Sequence, residues 1–180
     1  QQYDIVVPWS NISWLDQTTL GNNLGSYLAS GGIVVAFNFD WFGGGQSILG
    51  TWATTYTPFT DPGAVNFAPG TLGTCTVPSL CTGVSTLNAF YRETMTLASG
   101  ATLAGTWNDA SPMIAYKGRA IGISAYPGDA PTNYSGQFSR VIANAGVWLS
   151  PPCPTPTPTP TPPALVSVSG SVVYCSNPAL

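Results

Sequence analysis

The sequence predicts an α/β fold with a partly parallel sheet, and three stretches carry that reading. Residues 4–8 (Asp-Ile-Val-Val-Pro) are a short apolar run suited to a buried strand. From Asp16 onward, Leu20, Leu24, Tyr27 and Leu28 recur at helical spacing and share one face. Residues 33–37 (Ile-Val-Val-Ala-Phe) are apolar at every position, as a parallel strand covered on both sides should be. Together they make a β-α-β unit, with Asp16 as the helix N-cap and Gly31-Gly32 as its stop.

The other elements follow in order. Residues 43–87 are rich in Gly, Pro, Thr and aromatic side chains, and read as an extended loop with one short strand at 51–56. Strands are expected over 88–97 and 101–107, on either side of Ser99-Gly100. Two more, 113–116 and 120–126, meet at Lys117-Gly118, where a tight turn favours glycine. A second helix over 136–149 places Phe138, Val141, Ile142, Ala145 and Leu149 on one face and ends at Pro151-Pro152. This divides the chain into a domain at 1–149, a Pro/Thr-rich linker at 150–163 and a C-terminal strand at 164–180. In that strand Val166, Val168, Val172 and Tyr174 alternate with serines.

Composition narrows the function. Only 6% of the 180 residues are charged, where about 25% is usual. Four basic residues and a net charge of −3 leave no footprint for nucleic acid and no polybasic membrane patch. No apolar run approaches the length of a membrane span. The absence of histidine removes Ser-His and Cys-His catalytic devices and His-ligated metals, so neither a cofactor nor a metal is expected.

The polar cover must instead come from Ser, Thr, Asn and Gly. Such a surface stays dispersed when glycans coat it or an assembly buries it. Sequons at Asn11 and Asn133 offer N-glycan sites, and the Thr/Pro alternation offers Thr155, Thr157, Thr159 and Thr161 for O-glycans. Four cysteines (Cys75, Cys81, Cys153, Cys175) allow three pairings, and the spacing of Cys75 and Cys81 suits a local disulfide. These features point to an extracellular or cell-surface location. The chain opens at Gln1, close to a strand, as expected of a part of a longer precursor.

The order of elements resembles the second part of a flavodoxin-like domain, and within that fold the class I glutamine-amidotransferase-like group, including ThuA-like domains of exported bacterial proteins. The resemblance spans residues 3–149 and rests on Tyr3 to Pro8, Leu28 to Ala36, Lys117 to Ile123 and Arg140 to Leu149. It implies an incomplete three-layer sandwich whose opening strand, helix and strand lie outside the chain. The catalytic cysteine elbow and histidine of true amidotransferases have no counterpart, so the resemblance implies the scaffold without the reaction.

In open α/β sheets, ligands gather beyond the carboxyl ends of the strands. That edge should carry Trp9 and Asn11 after the first strand, Asn38, Asp40 and Trp41 after the second, and Tyr126 and Asp129 after the hairpin. Two carboxylates, two amides and aromatic walls suit a sugar or a Ca²⁺ ion. Asp40 and Asp129 are the one pair to nominate for glycoside hydrolysis. The alternative is that these aromatics bury into the long loop and Asp40 caps a turn.

The tail suggests a second role. Pro/Thr segments are extended and stiff, so the strand at 164–174 is held well away from the domain, with unpaired backbone groups and an apolar face. Donor-strand exchange, in which this strand completes the sheet of the next copy, gives a filament or surface layer made of the chain itself. On this reading the protein is a secreted, glycosylated structural component and not an enzyme. The alternative is a carbohydrate-binding or sugar-processing module on a Pro/Thr stalk. The strand can also be read as the start of a further domain.

Overall fold

The computed structural model describes residues 4–60 and 67–150. The elements run β1 (Ile5–Val6), α1 (Gln17–Ala29), β2 (Ile33–Phe37), a π-helical turn at Trp52–Tyr56, and β3 (Phe59–Thr60). They continue with β4 (Gly70–Cys75), α2 (Pro78–Cys81), β5 (Leu87–Ala89), β6 (Thr96–Leu97) and β7 (Thr102–Trp107). Last come β8 (Pro112–Lys117), β9 (Ala120–Ile123), β10 (Tyr134–Gly136) and α3 (Phe138–Leu149). The linker beyond Ser150 and the C-terminal strand, with Cys153, Cys175, the linker threonines and the valine face at 166–174, lie outside the described residues.

One sheet organises the domain, in the order β1-β2-β9-β8-β7-β4-β5-β10. The first three strands are parallel and the rest pair antiparallel, while β3 and β6 form a separate ribbon. The strict apolarity of β2 has a direct cause, because successive side chains serve opposite cores. Val34 and Ala36 pack with Leu24 and Leu28 of α1, together with Trp52 and Phe59. Ile33, Val35 and Phe37 pack with Phe138, Val141 and Ala145 of α3 and with Leu80 of α2. Helices therefore cover both faces of the sheet, giving the expected three-layer α/β sandwich.

The caps follow the sequence. Asp16 accepts bonds from the Thr19 amide (2.9 Å) and hydroxyl (2.7 Å), and Gly31 leaves the helix at a φ of +91°.

Several expectations change. Residues 51–56 are not a strand: Trp52 is wholly buried, and the wide turn is closed by the Thr57 amide on the Trp52 carbonyl (2.8 Å). The long loop at 43–87 contains β3, β4 and α2. Strand β4 is rich in Gly and Thr and shows no apolar period, yet it is held by β5 on one edge and β7 on the other. The expected strand at 88–97 survives only at its ends, in β5 and β6, because Arg92 turns inward between them. β10 (Tyr134–Gly136) precedes α3 and pairs with β5; it overlaps the helix expected over 136–149 only at Gly136, and the rest of it falls in a stretch for which no element was expected.

Cys75 and Cys81 are joined, with Cα atoms 5.8 Å apart. Such a bond belongs to an oxidising compartment. Gln137 extends the clamp to α3, its side-chain oxygen accepting from the amides of Ser85 (2.7 Å) and Thr86 (2.9 Å). Closing so short a loop is worth about 2 kcal/mol. Cys75→Ser should therefore lower the unfolding free energy by about that much in urea titrations. A variant as stable as the parent would show that the bond does not constrain the unfolded chain. Among the described residues no helix is long and apolar enough to cross a membrane.

Candidate functional site

The parallel strands end side by side, and a cavity of about 440 Å³ opens just past them. Asn11 reaches it from the β1–α1 loop, Phe39, Phe42 and Gln46 from the segment after β2, and Tyr126, Gly128 and Asp129 from the segment after β9. Phe67 and Tyr91 close it from the antiparallel half.

Backbone bonds fix these loops against one another. The Trp14 amide bonds the Gly45 carbonyl (2.9 Å), tying the Asn11 loop to the Gln46 loop. Gly45 permits this contact, having a φ of +98° and no room for a Cβ, which would meet Ser13 Oγ at 2.6 Å. The Tyr126 amide bonds the Tyr91 carbonyl (2.9 Å), joining two of the aromatic walls. Gly128 lets the tyrosine ring lie close to the loop, since a Cβ there would meet the Tyr126 hydroxyl at 2.4 Å.

The rings form one cluster. Phe39 is its centre, with centroids of Tyr126 at 5.0 Å, Phe42 at 5.3 Å and Phe67 at 5.8 Å. Among the described lining residues Asp129 is the only one with an ionisable acid or base side chain other than tyrosine. One of its oxygens accepts from the Ala130 amide at 2.7 Å; the other is buried with no hydrogen-bond partner. Burial, and next the negative charge of Asp129, raise the pKa of the Tyr126 hydroxyl, which therefore stays a donor.

Arg92 supports the far wall from behind. Its guanidinium donates to the Ala68 carbonyl (2.8 Å), the Ser111 hydroxyl (3.1 Å) and Asp109 (2.6 Å), and lies 5.4 Å over the Trp107 ring. It thereby holds the segments that carry Phe67 and Tyr91. The bonds from Arg92 and Ser111 keep the Asp109 carboxyl well below the usual carboxylate range.

Of the residues expected at this edge, the structure brings together Asn11, Tyr126 and Asp129. The others go elsewhere. Trp9 is 48% exposed and does not line the cavity. Asn38 is fully buried; its amide bridges to the Ile123 and Ala125 carbonyls, and its side-chain atoms have no partner. Trp41 points into the core, where its indole donates to the Thr57 hydroxyl at 2.8 Å. Asp40 lies with Trp41 beside a separate cavity of about 270 Å³. Neither of its oxygens has a hydrogen-bond partner, and burial pushes its carboxyl well above the usual range, offset only in part by the Phe37 backbone.

Two successive turns cause this inversion, the Asp40 amide on the Phe37 carbonyl and the Phe42 amide on the Phe39 carbonyl, both at 3.0 Å. They aim Phe39 and Phe42 at the crevice and the polar neighbours inward. The nominated glycosidase pair is thus not assembled: Asp40 and Asp129 line different cavities, whereas such a pair must flank one bond. Among the described residues no three His, Cys, Asp or Glu side chains meet at one place. Of the two sequons, Asn11 is exposed at the crevice and Asn133 is half-buried.

Fold and site define an α/β protein with an aromatic-walled crevice at the carboxyl edge of its parallel strands. No family model matches the chain, and no curated protein matches it. Among solved structures the chain is similar to a GMP synthase component from Thermoplasma acidophilum, with 9% identity, 82% of this chain and 73% of that chain covered, and a TM-score of 0.48. The likeness concerns the course of the chain alone.

Proposed function

We propose that the domain is a non-catalytic carbohydrate-binding module of an exported, glycan-bearing protein, displayed on its Pro/Thr stalk. One observation carries this reading: aromatic faces and two side-chain amides, Asn11 and Gln46, converge on a single cavity of about 440 Å³ where ligands of open α/β sheets sit. Aromatic rings cover the C–H faces of a sugar, while amides and a tyrosine hydroxyl serve its hydroxyl groups. The lack of histidine and the tying of Cys75 to Cys81 favour binding over amidotransferase chemistry.

Calorimetric titration with a panel of soluble oligosaccharides tests the proposal. Binding is expected for the intact chain, with affinity lowered at least tenfold in Tyr126→Ala and severalfold in the surface variant Asn11→Ala. Trp41→Ala should act instead through lost stability, because that ring is buried. A panel with no binder overturns the reading.

A second reading, assembly through the strand at 164–174, is favoured by the sheet ends. Among the described pairings β1 and β10 are each bonded on one side only, and Ile5 and Val6 are only half-buried. Deleting residues 164–180 should abolish filaments in electron micrographs and leave sugar binding intact; filaments that persist, or that never form in the intact chain, count against it.

A further inference from the structure

We propose that the sugar seated in the aromatic crevice carries a free ammonium group, bound against Asp129. This inference rests on the carbohydrate reading above and narrows it to one class, sugars with an unacylated amine.

Among the described residues the lining holds one carboxylate and no lysine or arginine. An acidic sugar would meet Asp129 with nothing to neutralise it. A neutral sugar would offer Asp129 hydroxyl donors but no charge to balance it. The free oxygen of Asp129 is buried and lacks a donor, while the other is already committed to the Ala130 amide. An ammonium supplies that donor, and a charge-assisted hydrogen bond is about twice as strong as a neutral one.

The aromatic walls favour the same group. Phe42, Phe67 and Tyr91 stand at 64°, 89° and 62° to Phe39 and Tyr126 at 32°, so the rings of the wall do not form one flat platform. Ring faces carry negative potential and attract cations within about 6 Å of the centroid. Asp129 and Tyr126 line the same cavity, which puts the carboxyl group beside this aromatic wall.

Titration at pH 6 with a β-1,4-linked glucosamine tetramer, its N-acetylated counterpart and a β-1,4-linked glucose tetramer decides the matter. The glucosamine tetramer should bind at least tenfold more tightly than the other two, and Asp129→Asn should bring the three within about twofold. Equal or tighter binding of the acetylated or neutral tetramer overturns the ammonium assignment and leaves the sugar reading standing. If none of the three binds, both fall. Should Asp129→Asn weaken all three alike, the residue only shapes its loop and the assignment fails.

Discussion

Asp40→Asn should stabilise the protein, and the gain should grow with pH. The carboxyl is fully buried, and its folded-state ionisation is pushed well above the ordinary value of 3.8 by desolvation. From about pH 4 upward the unfolded chain releases this proton while the folded chain keeps it, so stability falls as pH rises through that window and levels off above the folded value. The contribution is fully present below pH 4, where both states hold the proton. The Asn variant should therefore match the parent near pH 4 and exceed it at pH 8 by about 2 kcal/mol. At this chain length that is a rise of about 4–8 °C in Tm. Denaturant titrations of both proteins across pH 4–8 give the answer. Parallel curves would mean that Asp40 does not govern the pH response.

Arg92→Ala should destabilise the protein by about 3 kcal/mol and should also weaken ligand binding. The guanidinium side chain is 5% exposed, so its three hydrogen bonds and its contact with Trp107 are made out of water. Asp109 is 42% exposed, and screening reduces what Asp109→Asn costs to about 1 kcal/mol. Arg92→Lys should not rescue the fold, because a point charge cannot serve three acceptors set in a fork. Since Arg92 positions the segments of Phe67 and Tyr91, oligosaccharide affinity should fall as well. An Ala variant with parental Tm would remove the arginine from the core's support.

The two acids act in opposite senses. Asp109, held low by Arg92, loses its contribution as pH falls below the ordinary carboxylate value, whereas Asp40 costs stability above it. These two groups together favour mildly acidic solution over either extreme.

Residues with one dominant duty were legible in the sequence. The β1–α1–β2 unit, the Asp16 cap and the face of α3 all follow from apolar period and capping chemistry. So did the local pairing of Cys75 with Cys81. What stayed hidden depended on partners far along the chain. β4 has no apolar alternation to announce it and exists because β5 and β7 offer edges. Arg92 reads as a strand residue until Ala68, Ser111 and Asp109 are brought to it. At the crevice, the loops of Asn11, Tyr126 and Asp129 were placed correctly by the rule that ligands gather at strand ends. Phe39 and Phe42 were missed beside Asn38 and Asp40, since tight turns after β2 exchange the inward and outward positions. Tyr91 and Phe67 gave no signal, because each reaches the cavity from another part of the fold.

The scarcity of basic side chains has a consequence outside the domain's own stability. The chain contains Arg92, Lys117, Arg119 and Arg140 and no other lysine or arginine. Arg92 is enclosed, Lys117 and Arg119 are half-buried, Arg119 being bonded to the Leu149 carbonyl, and Arg140 is exposed. Trypsin-like proteases, which cut after such residues, thus find only Lys117, in the turn between β8 and β9, and Arg140, on α3, near the surface, and the linker sequence offers them no site.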